Sequence, residues 1–396
     1  MYISSKPTFF LNQAIGNKSY GNISTFPFNH TRCHFFFSAR YALAAGVQAL
    51  GITSKQNLLM PSYNCWVEID PIKYQDIQIK YYRIRSDLTV DLDDLKAIID
   101  DKTKAVLITH YLGFPQPVDA ISRICKERQI FLIEDCAHAF LSEFNGKPIG
   151  SFGDISVFSF RKTLPIPNGA GLIINNENIT FEHQIAKPSS FSTYYVCAEF
   201  LKHRTTKQST IAKMIFIKVF NEAIYLSFFF LRSLLRIFRK IFNRRGLYLV
   251  YPSGNQYRKE ISHWGMSSLS KNIIMSSNFE KIKDIRRRNF RFFLNYFQND
   301  KRVTLPFKEL PDGVCPLFFP IIIEKRDYFY KALKKRGIAG HDWWGDFHPD
   351  VPWNNFPEAV FLKRNILGLP IHQDLSLKHL QAIEEEFEKA YQSMER

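Results

Sequence analysis

From about residue 34 to 176, short apolar runs alternate with stretches of helical periodicity. The runs at 57–61, 77–83, 105–110, 130–134, 155–160 and 171–175 predict strands, and 39–50, 91–99 and 118–128 predict helices. Strands and helices alternating at these lengths form βαβ units around a mostly parallel sheet. Such units cross over right-handed, and ligands gather at the carboxyl ends of the strands. The expected fold class is α/β, with helices flanking the sheet and a smaller α+β domain at the C-terminal side.

Residues 177–250 break this rhythm. The stretch 211–245 predicts one or two long helices, with Lys213, Lys218, Arg232, Arg236, Arg239, Lys240, Arg244 and Arg245 against Glu222 alone. Arg232, Arg236, Arg239 and Lys240 share one helical face, and Leu234, Leu235, Phe238, Ile241 and Phe242 lie opposite. That is a basic amphipathic helix, suited either to an anionic membrane surface or to packing on protein. Its apolar run is far short of the ~20 residues a membrane span needs. Beyond it, the pattern predicts a helix at 278–297, a strand at 315–323, a helix at 326–336 and a last helix at 377–393. The expected division is 1–250 for a large domain, with the basic insertion at about 195–248, and 251–396 for a small one.

A chain of 396 residues exceeds the size at which one core stops growing, which agrees with two domains. The formal charge of +16 admits nucleic acid, anionic lipid or phosphorylated substrates as partners. Much of the excess is local, and no zinc-finger or RNA-recognition signature accompanies it, so nucleic acid ranks last. The six cysteines are scattered without a CxxC pair, which argues against a metal site or disulfide framework and for a reducing cytoplasm. The N-terminal residues lack the basic and long apolar regions of a signal peptide.

Three segments carry candidate chemistry. In Ile130-Phe-Leu-Ile-Glu-Asp-Cys-Ala-His138 an apolar strand ends in two carboxylates and a histidine. Asp135 is placed either for a ligand at the sheet edge or as a helix N-cap, and His138 is either part of that site or a polar core residue. In Gly153-Asp-Ile-Ser-Val-Phe-Ser-Phe160, followed by Arg-Lys-Thr-Leu164, a strand ends in a hydroxyl and a base. Ser159 could donate to a phosphate. Lys162 could bond an aldehyde cofactor if its pKa were lowered, or it could be an ordinary solvated lysine. The third segment, Ser38-Ala-Arg-Tyr, opens a helix with small residues whose N–H groups suit an anion.

Taken in order along nearly the whole chain, these segments resemble the DegT/DnrJ/StrS family of sugar aminotransferases, fold-type I proteins that use pyridoxal 5'-phosphate (PLP). Further pieces carry the likeness: Pro61-Ser-Tyr-Asn-Cys-Trp66, Thr109-His-Tyr-Leu-Gly113, Arg326-Asp327, Arg336-Gly-Ile338 and Leu369-Pro-Ile-His372. The resemblance implies a homodimer with active sites at the subunit interface. It assigns Asp135 to the pyridine nitrogen, His138 to a position against the cofactor, Trp66 to stacking on its ring, and Ser159, Ala39 and Arg40 to its phosphate. The implied reaction moves an amino group from glutamate onto a keto-sugar nucleotide for surface polysaccharide synthesis.

The chain departs from the family pattern at the lysine that bonds the cofactor. Counting forward from Phe-Ser-Phe lands on Leu164, and counting back from Gly169-Ala170 lands on Lys162 on a turn two residues shorter. With Lys162 the chain is an aminotransferase. With Leu164 it is a PLP-binding relative, either dehydratase-like or non-catalytic. A second departure is His263-Trp-Gly-Met266, which stands near the place of the family's Asn-Tyr-Arg stretch.

Overall fold

The computed structural model describes residues 1–8, 23–189, 193 and 257–395. The expected basic insertion at 195–248, its amphipathic helix at 211–245 and the membrane contact drawn from it lie outside the described residues. Among the described residues, no helix is long and apolar enough to cross a membrane.

The strands are β1 (Cys33–Phe36), β2 (Asn57–Pro61), β3 (Gln78–Tyr82), β4 (Thr103–Thr109), β5 (Phe131–Asp135), β6 (Glu143–Phe144), β7 (Lys147–Pro148), β8 (Ile155–Phe158), β9 (Ala170–Ile174), β10 (Phe318–Ile322) and β11 (Ile366–Pro370). The main sheet runs β1-β9-β8-β5-β4-β2-β3. β3, β2, β4, β5 and β8 are parallel, while β9 and β1 add on antiparallel. Every residue of β2, β8 and β9 is buried, as a sheet covered on both faces requires. That double coverage is why these strands read as continuous apolar runs rather than alternating ones.

The expected helices form at Ala39–Ala49, Leu92–Ile98 and Val118–Glu127. Asp91 begins the second as its N-cap, accepting from the N–H groups of Asp93 and Asp94. The expected strand 155–160 stops at Phe158, because Phe160–Thr163 turns into a short helix. A helix at Trp66–Lys73, with Pro71 inside it, was not expected.

The second layer of the protein pairs β10 with β11 antiparallel under the helices Phe279–Phe297, Arg326–Lys335 and Leu377–Glu395. Its core is aromatic: Phe290, Phe293, Phe297, Phe319, Phe329 and Phe387 are all buried together. The N-terminal residues join this layer. Ile3 lies in the same cluster, and its N–H and C=O pair with Gly337 and Ala339. Conversely, Ile261 and Met266 pack with the clusters of the main sheet. The Ser142 hydroxyl ties the layers: it donates to Gly113 O at 2.7 Å in the main layer and accepts from Cys315 N at 2.9 Å in the second.

Candidate functional site

β5 delivers adjacent carboxylates to opposite faces, and they do different work. Glu134 is fully buried and saturated. It accepts from the N–H groups of Gly150, Phe152 and Gly153 at 3.0, 2.8 and 2.6 Å, and contacts His110 Nε2 at 3.1 Å. His110 Nδ1 accepts from Gln116 N, so Nε2 carries the proton toward Glu134. Glu134 therefore anchors the 150–153 loop. Its proximity to His110 and Cys136 resembles a metal cluster, but its oxygens are already committed.

Asp135 is buried at the carboxyl end of β5. Its Oδ1 accepts from Ala137 N at 2.8 Å. No helix starts there, which removes the N-cap reading: residues 136–142 form turns. Beside Asp135 lies Glu68, from the unexpected helix Trp66–Lys73. Burial, then the charge of Asp135, pushes the Glu68 carboxyl well above its ordinary range, and a side-chain hydrogen bond joins the two. Two buried carboxyls this close share one negative charge, so Glu68 holds the proton. Its Oε2 has no hydrogen-bond partner.

Lys162 follows on the short helix after β8. It is half-buried, not the solvated surface lysine that its residue type suggested. Its positive charge acts on Glu68, Cys65, His138, His341 and Lys6. One ammonium thus faces the carboxyl pair, His138 and the second layer together. Leu164, the competing position, is fully buried in an apolar cluster with Phe158, Phe160 and Ile166. The turn between them is fixed from the second layer: Thr163 O accepts from Gln373 Nε2 at 3.0 Å and Arg286 at 3.3 Å.

His138 is buried, and its Nδ1 accepts from Leu112 N at 3.3 Å. Its Nε2 is buried without a partner. Burial, with the charges of Lys162 and His341, holds the ring well below its ordinary pKa and therefore neutral. Trp343 meets it edge-on at 4.8 Å, and Trp344 lies against it at 5.0 Å. Trp66, expected to stack on a cofactor ring, packs against His348 at 4.7 Å.

Ser159, buried, makes no capping bond with its hydroxyl. At Ala39–Ala49, Ser38 is the N-cap residue but likewise makes no side-chain capping bond. Ser38 O receives Tyr41 N and Ala42 N, the bonds of the first turn. Ala39 and Arg40 open that turn. Burial lowers the Arg40 pKa, and the charges of Asp70 and Arg258 lie nearby. His263-Trp-Gly-Met266 joins the β1 edge: Gly265 bridges Phe36, and Trp264 meets Phe37 edge-on.

Sequence reasoning missed Glu68, the Trp343–Trp344 pair and Lys363. Lys363 is 1% exposed. Its Nζ donates to the carbonyls of Asn64, Trp344 and Asp346 at 2.9, 3.1 and 3.0 Å, and sits 4.9 Å above the Trp353 ring. This single cation pins the tryptophan turn of the second layer onto the 61–66 segment beside Glu68. The sequence signal for Glu68 was available only as a carboxylate close after Pro61-Ser-Tyr-Asn-Cys-Trp66.

Residues 29–193 match the model of the DegT/DnrJ/EryC1/StrS aminotransferase family. GDP-perosamine synthase from Escherichia coli O157:H7 is 33% identical over 144 residues, which is 36% of this chain and 39% of that protein. GDP-4-keto-6-deoxy-D-mannose 3-dehydratase from Yersinia pseudotuberculosis is 30% identical over 125 residues, 31% of this chain and 32% of that protein. The chain thus spans well under half the length of these relatives. Among solved structures, PseC of Helicobacter pylori, an aminotransferase involved in the biosynthesis of pseudoaminic acid, superposes with a TM-score of 0.61 at 19% identity, over 91% of this chain and 87% of that one. The aminotransferase TlmJ from Streptoalloteichus hindustanus gives 0.61 at 16% identity, over 92% and 87%. These likenesses establish the fold across both layers: α/β of fold-type I.

Proposed function

We propose, taking the match of residues 29–193 to the DegT/DnrJ/EryC1/StrS aminotransferase family as the premise, that this protein is a PLP-dependent aminotransferase. Its acceptor is a keto-sugar linked to a nucleotide, and its amino donor is glutamate. The observation that carries the reading is the placement of Lys162: its charge acts on Glu68, beside Asp135, and on neutral His138.

The residues fit PLP by chemistry. Asp135 is the acid for a pyridine nitrogen, and the proton on Glu68 keeps the pair at one net charge, which suits a single cationic partner. The buried Nε2 of His138 has no partner, which suits a ligand, and the hydroxyls of Ser38 and Ser159 make no capping bond that would compete with one. Ala39, Arg40 and Ser159 would hold the phosphate. Bound there, PLP supplies an electron sink for the carbon that gives or receives the amino group.

The chain's own residues do the remaining work. Lys162 would be the amine that holds the cofactor aldehyde, and its Nζ would carry a proton to and from the substrate. Asp135 holds the proton of the ring nitrogen. Neutral His138, fixed through Nδ1, would lie against the cofactor, with Trp343 and Trp344 packed on its ring. Trp66 lies at the rim with His348.

The test is a half-reaction. PLP-loaded protein mixed with glutamate should release about one 2-oxoglutarate per loaded site, and Lys162→Ala should abolish the release. Loaded wild-type protein that releases none would refute this assignment. The dehydratase relative does not displace the reading, because the lysine at 162 supplies the base a transamination requires.

A further inference from the structure

The surroundings of Lys162 carry positive charge that the proposed transamination residues do not absorb. Residues 1–8 cross the second layer as a strap. Ile3 pairs with Gly337 and Ala339, Ser4 O contacts His372 Nε2 at 3.0 Å, and Thr8 N donates to Asp374 at 2.6 Å. The adjacent Gln373 binds Thr163 O, next to Lys162. These bonds bring Lys6 to the turn that bears Arg161 and Lys162. Lys6 and Arg161 are both exposed, and neither has an acidic or hydrogen-bonding side-chain partner among the described residues.

We infer that Lys6 and Arg161 form an oxyanion receptor beside the Lys162 turn, taking a negatively charged group of the substrate and not the phosphate of the cofactor. The inference rests on the aminotransferase reading for what the substrate is, but not for the receptor itself. Three cations, Lys6, Arg161 and Lys162, converge there. The nearby carboxyls contribute about one negative charge, because Glu68 holds its proton. Like charges held together without a counter-ion favour an incoming anion. Although part of Lys6 stays open to solvent, partial burial, and after it the charges of Arg161 and Lys162, lower its pKa to about 8. An oxyanion would relieve that repulsion, and the guanidinium of Arg161 offers it a planar, two-pronged donor set.

Two substrate anions share this chemistry: the diphosphate of a nucleotide-linked sugar, and a carboxylate of the amino donor. Inorganic pyrophosphate and glutarate serve as separate probes on PLP-loaded protein, with binding followed by titration calorimetry. Lys6→Ala and Arg161→Ala should each weaken one probe at least tenfold, and Lys6→Arg should stay within threefold of wild type. PLP loading and melting temperature should not change. Loss confined to pyrophosphate identifies the diphosphate as the ligand, and loss confined to glutarate identifies the donor carboxylate. Unchanged affinity for both probes overturns the inference. So does a parallel loss of PLP loading, which would assign these side chains to the cofactor's own phosphate. A variant-sensitive probe with no glutamate half-reaction would retain the receptor and refute the aminotransferase reading. A working half-reaction with insensitive probes would do the reverse.

Discussion

Lys363→Met gives a stability signature that only a buried lysine cation can produce. Methionine has nearly the same length and fills the space, so packing is largely conserved. Three carbonyls lose a charged donor, and relief of the ammonium's own burial offsets part of that loss. The net cost at pH 7 is on the order of 2–3 kcal/mol. The pH dependence is sharper. Burial lowers the Lys363 pKa from 10.5 to about 8, against the opposing charges of Cys65, Glu68 and Asp346. Below pH 8 the lysine is protonated in both folded and unfolded chains. Between pH 8 and 10.5 the folded protein has released a proton that the unfolded chain still binds, so this group's contribution to stability grows as pH rises. It is lost again as pH falls through 8. At about 1.4 kcal/mol per pH unit, the window corresponds to about 3 kcal/mol. The penalty of Lys363→Met should therefore roughly double between pH 7 and pH 10.5. Urea unfolding of both proteins, followed by tryptophan fluorescence, measures it. Buried tyrosines and cysteines titrate in the same range but cancel in the difference. A penalty that is constant with pH would refute the reasoning.

Other consequences follow from the same contacts. Glu68→Gln keeps a donor toward Asp135 while Glu68→Ala does not, so PLP affinity by equilibrium titration should stay within about threefold for the first and fall at least tenfold for the second. Arg286, 1% exposed, donates to Pro316 O, Leu317 O and Thr163 O. Arg286→Met should cost ~3 kcal/mol in unfolding experiments and lower the yield of cofactor fixed on the 160–163 turn. Gly113 has φ +100°, and a Cβ there would lie 2.3 Å from Cys315 O. Gly113→Ala should destabilise the contact between the layers by at least ~2 kcal/mol, seen as a lower melting temperature, whereas Gly51→Ala, which meets no atom, should cost only its positive-φ strain.

The sheet was legible in the sequence because both of its faces are covered, and continuous apolar runs then have one reading. The long helix Phe279–Phe297 was legible from its periodicity and its capping Asn278. What escaped was decided by contacts distant in the chain. The helix Trp66–Lys73 is short and contains Pro71, and the carboxyl that matters on it meets a partner 67 positions later. The helix Pro357–Asn365 inverts the usual pattern: Phe361 is 45% exposed while Lys363 is 1% exposed. Composition rules place the phenylalanine inside and the lysine outside, so the clamp could not be found without the carbonyls it serves. Asp135 and Ser159 stood out because both end apolar strands, whereas the burial of Leu164 in the aromatic core was visible only in the folded chain.

The role of Lys162 is the central claim, and it is tested most directly by loading the protein with PLP, reducing it with borohydride and mapping the peptides. The account predicts a pyridoxyl label on Lys162 in the peptide spanning Phe160–Leu164. Bound PLP with no label on Lys162 would contradict it.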